Sequence, residues 1–218
     1  MARKSNRRKI PEVAARKKAK GTIYTPTPCI IGIDQSYTNT GIAIAVGDQL
    51  KRISNIPLDK IKSKTLKREK VAKVVGQAIQ SCLKHYQPNE VTIIVERIRV
   101  YSQGFSGTKN MSMPFIKSQA ALITTIVDTA FHYGVRVYSV DTRAWKNRIL
   151  GTSKPLAIAF PGCKNPKKIR EVKYIVELGF ADQLKCKNHK DYDDDRADAA
   201  CIALYGNSGE PYMLKLEE

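Results

Sequence analysis

The sequence predicts an α/β protein, with a mixed central sheet flanked by helices on both faces. Three observations predict it. Short, β-branched apolar runs at 29–34, 91–95 and 136–140 read as buried strands. A polar turn and a return strand follow the first run, so the sheet is led by a hairpin. Stretches with helical apolar spacing alternate with the later runs.

Taken in order, residues 1–25 are rich in Lys, Arg and Ala and lack apolar periodicity. They read as a disordered basic arm that orders on nucleic acid, with a localisation signal as the competing reading. Thr25-Pro-Thr-Pro28 ends the arm, so the expected division is an arm at 1–27, one domain at 28–206 and a tail at 207–218. Residues 29–34 form a strand ending on Asp34, 35–40 a turn and 41–46 the return strand, with a third strand near 52–56. Residues 66–83 carry Leu66, Val71, Val74, Val75, Ala78, Ile79, Cys82 and Leu83 at helical spacing, with Lys on the opposite face. The strand at 91–95 leads to Glu96. Residues 101–114 mix Gly, Ser and aromatics and read as a mobile loop. A largely apolar helix at 115–133 is capped by Gly134, and the 136–140 strand follows. Asp141 or Thr142 N-caps a helix running to Leu150, with Gly151 at its C-terminal end. Residues 152–166 hold three Pro and one Gly and read as an inserted loop. Helices at 168–178 and 195–205 close the domain.

The chain has 218 residues and a formal charge of +18. The charge is uneven: residues 1–20 hold nine Lys or Arg against one Glu, and 142–190 hold twelve against three acids. Residues 191–218 reverse this, with two basic and eight acidic residues. Phosphate backbones are the natural partner of such an excess. An anionic membrane surface is the weaker option, because no amphipathic aromatic-bearing segment accompanies the charge. No apolar run reaches membrane-spanning length, and no apolar signal core lies near Met1. The five scattered cysteines, Cys29, Cys82, Cys163, Cys186 and Cys201, favour reduced thiols in a cytoplasmic setting. Cys186-Lys-Asn-His189 resembles half a zinc site with no second pair to complete it.

Against that basic background stand four carboxylates: Asp34 and Glu96 at strand ends, Asp195 and Asp198 three apart on a helix. Helical residues at that spacing share a face. Four carboxylates converging at a sheet edge would raise each other's pKa values. Mg²⁺ or Mn²⁺ relieves this and prefers oxygen ligands. Two such ions about 4 Å apart can activate a water and stabilise the departing 3′-oxygen of a phosphodiester. Each residue also has a plainer role: Asp34 as a turn cap, Glu96 as an exposed strand-end charge, Asp195 and Asp198 as partners of a helix dipole. The set together, in a net-basic chain, favours the functional role. Asp191, Asp193 and Asp194 belong to the same acidic run and read as solvated.

These residues carry a family resemblance. The chain resembles the RuvC-type Holliday junction resolvases of the RNase H-like superfamily. The resemblance lies in Ile31-Gly-Ile-Asp34 with Gly41 seven residues on, the strand ending in Glu96, and Asp195-x-x-Asp198-Ala-Ala leading an Ala-rich helix. It covers about residues 29–206. It implies an RNase H-like fold and a homodimer that nicks two strands of a four-way DNA junction symmetrically. It implies Mg²⁺, two ions per site, on Asp34, Glu96, Asp195 and Asp198. Asp141-Thr-Arg143-Ala-Trp-Lys146 resembles the segment that supplies a site lysine, so Lys146 is the candidate, and Lys167 or Lys168 matches a second. Arg97, Arg99 and Arg143 join them as expected DNA contacts, and Tyr101 and Phe105 stand near the family's aromatic wedge. Three departures are visible. Gln35-Ser36 replaces Pro-Gly after the first Asp; Arg97-Ile-Arg99-Val-Tyr101 precedes any wedge; the arm and the 152–166 loop are additional, as in a divergent phage-type member. Shared carboxylate chemistry does not fix the substrate. A broader branched-DNA or fork nuclease, a transposase-like or ribonuclease H-type activity, and a non-catalytic architectural DNA-binding protein remain as alternatives.

Overall fold

The computed structural model describes residues 25–98, 113–155, 159–186, 190–208 and 214–215. The first strand, β1 (Cys29–Asp34), is apolar along its length and buried until Asp34. It pairs antiparallel with β2 (Asn39–Val46), which pairs antiparallel with β3 (Gln49–Pro57). Both are longer than the periodicity suggests, because polar residues such as Asn39 and Asn55 continue the ladder at its edge. β4 (Val91–Glu96) runs parallel to β1 on its other side, and β5 (Arg136–Val140) runs parallel to β4. A two-residue strand, β6 (Leu214–Lys215), lies antiparallel against β5 within the stretch expected as a tail. The sheet order is β3-β2-β1-β4-β5-β6. The sheet is mixed, as the sequence predicts.

One face is covered by α1 (Lys64–Leu83) and α2 (Met113–His132). Their inward residues Val71, Val75, Ile79, Leu122 and Ile126 are fully buried with Ile31, Ile33, Ile93 and Val95. The other face is covered by α3 (Thr142–Leu150), α4 (Ile169–Ile175) and α6 (Asp194–Tyr205). A short helix, α5 (Ala181–Leu184), precedes α6. The expected helix at 168–178 divides: α4 ends at Ile175, and a π turn at Val176–Phe180 follows. Gly179, at φ 89°, takes the left-handed conformation that breaks regular helix. Asp141 and Gly151 cap α3 as the sequence suggests.

α6 lies unusually close to the sheet. A Cβ at Gly32 would stand 2.4 Å from the Ala199 carbonyl, and one at Gly41 would stand 2.0 Å from the Asp195 carbonyl. Both positions therefore need glycine for steric reasons. Ala197, Ala199, Ala200 and Ala203 keep the helix slim enough to seat there, and all are fully buried. This seating brings the head of α6 to the C-terminal ends of β1 and β4.

Candidate active site

Asp34 and Glu96 end neighbouring parallel strands and line one cleft of about 690 Å³. Gln35 fixes their relation. Its side chain donates to the Glu96 carbonyl at 2.6 Å and accepts from the Glu96 amide at 3.2 Å, so it prolongs the β1–β4 pairing beyond Asp34. The residue that departs from the family's Pro-Gly thus acts as a clamp. Thr142, opening α3, donates to the Glu96 carboxylate.

The head of α6 supplies the other two. Asp198 is fully buried, and Lys168 bonds one of its carboxylate oxygens. The second, Asp198 Oδ1, is buried without a hydrogen-bond partner. Asn39 donates to Asp195 at 2.9 Å and to both oxygens of Asp193. Burial pushes the Asp34 carboxyl well above its ordinary range, and the charges of Glu96, Asp195 and Asp194 push it further, against Lys168. Asp195 is pushed up to about 6, chiefly by burial and then by Asp194 and Asp193, with Asn39 and Lys168 opposing. Asp34 thus feels Glu96 and Asp195 as close neighbours, and Lys168 ties Asp198 to the same place.

Asp193 corrects the expectation of a solvated acid. It is 7% exposed, N-caps α6 by accepting from the Arg196 amide, and is held by Asn39, Asn55 and the Arg196 guanidinium. Asp194 accepts from Asn165 at 3.0 Å, and Asp191 pairs with Lys164 at 2.7 Å. Asp193, Asp194 and Asp195 also offer ligand atoms all within 4.8 Å of one another. Among the described residues this is the acidic group whose ligand atoms come so close together, although Asp193 is already engaged by its cap and amide partners. The orphaned Asp198 Oδ1 and the crowded Asp34 carboxyl are the features a divalent cation would relieve.

Arg97, Arg143, Lys146 and Lys168 line the cleft, as does Lys154 from the inserted loop. Lys146, however, bonds the buried carboxylate of Glu171 and lies over the Trp145 ring at 5.1 Å. Lys168, rather than Lys146, touches the predicted carboxylates. Lys167 is exposed outside the cleft lining. Arg99, Tyr101, Phe105, His189 and the arm at 1–24 lie outside the described residues. All five cysteines are unpaired.

The sequence reading missed Gln35, Asn39, Asn55, Thr142 and Glu171. Only Gln35 left a signal, as a departure from the family's pattern.

No family model matches the sequence, and no curated protein is detectably similar to it. Solved structures are. Thermus thermophilus RuvC aligns with a TM-score of 0.55 and 15% identity, over 86% of this chain and 99% of that one. T. thermophilus RuvC in complex with a Holliday junction substrate aligns at 0.57, with the same identity and coverage. The fold is that of RuvC. The RuvC-like core holds all four predicted carboxylates at one end of its sheet. No helix among the described residues is long and apolar enough to cross a membrane.

Proposed function

We propose that this protein is a divalent-metal-dependent endonuclease that resolves four-way DNA junctions by paired symmetric nicks. One observation supports the reading: Asp34 and Glu96 line a cleft edged by Arg97, Arg143, Lys146 and Lys168, with the charge of Asp195 acting on Asp34 and Asp198 bonded to Lys168 of that lining. An acidic centre with a basic surround suits a phosphodiester only when cations neutralise the carboxylates. Asp34, Glu96, Asp195 and Asp198 would hold Mg²⁺, with Mn²⁺ as a substitute. Two bound ions supply activation of a water and stabilisation of the departing 3′-oxygen.

The chain's own residues do the rest. Gln35 and Thr142 fix where the Glu96 carboxylate points. Asn39 fixes Asp195. Lys168 pairs with Asp198 and balances its buried charge. Arg97 and Arg143 bind backbone phosphates at the rim, and Lys146, held by Glu171, adds a fixed charge beside them. The likeness to a RuvC solved on a Holliday junction supports the junction as substrate. Two opposed nicks at equivalent phosphates need two equivalent sites, so we assign a C₂ homodimer. The exposed apolar residues Met113 and Phe131, which share a face of α2, support such an interface. Arg99, Tyr101, Phe105 and Lys167 complete the proposed DNA contacts. The arm at 1–27 adds phosphate contacts to the 28–206 domain, in a cytoplasmic setting.

A Mg²⁺-dependent assay on junction, fork, RNA–DNA hybrid and linear duplex tests the reading. Junction cleavage in two opposed nicks, above the other substrates, is the expected result. Equal cleavage of forks would make the protein a general branched-DNA nuclease. Binding without cleavage of any substrate would make it an architectural DNA-binding protein.

A further inference from the structure

We propose that residues 60–73 form a second phosphate-binding ridge, which holds the backbone of a nucleic-acid arm as it leaves the cleft. The inference rests on the DNA reading above, but on a surface that reading does not use. Residues 60–73 hold seven Lys or Arg against one Glu. Lys60, Lys62, Lys64 and Lys73 are exposed. Among the described residues, none of the seven forms an ion pair with a carboxylate.

The ridge stands beside the site. β3 ends at Pro57, opposite Asn39, so the chain enters the ridge at the sheet end that carries Asp34. Two contacts join it to the cleft wall. Lys64 donates to Ser118 at 3.3 Å, on the α2 turn whose Phe115 and Gln119 line the cleft. Lys67 donates to the Tyr37 carbonyl at 2.6 Å, three residues past Asp34.

The charge placement also runs against the helix's own preference. A helix N-terminus carries positive partial charge and favours Asp or Glu in its first turn. α1 has no acid there and places Lys64 and Lys67 instead. An anion lying along the ridge removes that repulsion. A phosphodiester backbone fits better than an anionic membrane. An interfacial helix buries an apolar face in lipid, whereas Val71, Val75 and Ile79 of α1 are already buried in the core.

The test uses the full chain with Lys60, Lys62 and Lys64 all changed to Gln. Affinity for a long-armed four-way junction is measured over a range of salt, beside a junction with arms cut short. Each phosphate contact contributes about 0.9 to the slope of log affinity against log salt. The triple variant is expected to lose about 2 to 3 from that slope and about tenfold in affinity at moderate salt. It should bind the short-armed junction as the wild type does. Its single-turnover cleavage at saturating enzyme should be unchanged. Lys51→Gln with Arg52→Gln, at the far end of β3, should retain the wild-type slope. A wild type that binds junctions, with a triple variant of equal slope, overturns the ridge and leaves the DNA reading intact. A wild type that binds no branched DNA removes both.

Discussion

On one face of the sheet, α1 and α2 lay Val71, Val75, Ile79, Leu122 and Ile126 over Ile31, Ile33, Ile93 and Val95. On the other, α6 sets alanines against backbone at Gly32 and Gly41, and carries buried or half-buried acids at its head. The first face is held chiefly by apolar area, with polar contacts only at its rim, and tolerates the ordinary spacing between helix and sheet. The second gives up side-chain volume for a closer approach of main chains. That approach allows carboxylates from β1, β4 and α6 to meet. Both faces bury an apolar core, but the close approach that serves the acids is confined to the second.

Substitutions at the acids should separate the two faces most sharply. Asp34→Asn, Glu96→Gln, Asp195→Asn or Asp198→Asn should each lower Mg²⁺-dependent cleavage by about a thousandfold or more, about 4 kcal/mol of barrier. Junction binding should persist. In metal-free protein, Asp34→Asn should raise Tm, because it removes a crowded charge, and should abolish the Tm increase on adding Mg²⁺. A metal-free Tm below wild type would show that the Asp34 carboxylate supports the fold rather than straining it.

Leu122→Ala, on the apolar face, should do the reverse. It should cost about 2 to 5 kcal/mol of stability by leaving a cavity, with the Mg²⁺ dependence of cleavage unchanged below the melting range. Denaturant unfolding beside a metal titration reads both. A large shift in metal dependence would mean that the two faces are not separable.

Gly41→Ala joins them, because its methyl must push Asp195 and α6 outward. It should cost about 1 to 3 kcal/mol of stability and, unlike Leu122→Ala, most of the cleavage activity in the protein that remains folded. Unaltered single-turnover rates would show that the close approach is not what assembles the site.

The smallest effect is expected at the clamp. Gln35→Ala removes both bonds to the Glu96 backbone without removing a ligand. Loss of such an outer partner typically costs about 10- to 100-fold in metal affinity. The Mg²⁺ concentration for half-maximal rate should therefore rise while the rate at saturating Mg²⁺ stays near wild type. A fall in the saturated rate alone would place Gln35 outside metal positioning.

The apolar face was legible in the sequence because buried strands and helices leave periodic signals. β1, β4, α1 and α2 were located that way, and Asp34 and Glu96 came with the strand ends. Asp195 and Asp198 were legible from their shared helical face. The polar support was not. Asn39 reaches Asp195 across 156 positions, and Gln35 reaches Glu96 across 61. A single amide carries no period to mark such a partner. Asp193 was misread for a related reason: an acidic run looks solvated until the residues that bury it are known. Lys146 and Lys168 were both found, but which lysine faces which acid depends on how α3 and α4 pack, and Glu171 gave no sign of its burial.

The seating of α6 on Gly32 and Gly41 also has a consequence for biosynthesis. A nascent chain that has just emerged through β4 carries Asp34 and Glu96 but none of α6. Asp195 and Asp198 leave the ribosome about a hundred residues later, and contacts between such distant segments close late in folding. Half a ligand set holds a divalent ion poorly. On the nuclease reading proposed above, the growing polypeptide would carry no complete set of the four carboxylates until α6 docks on Gly32 and Gly41.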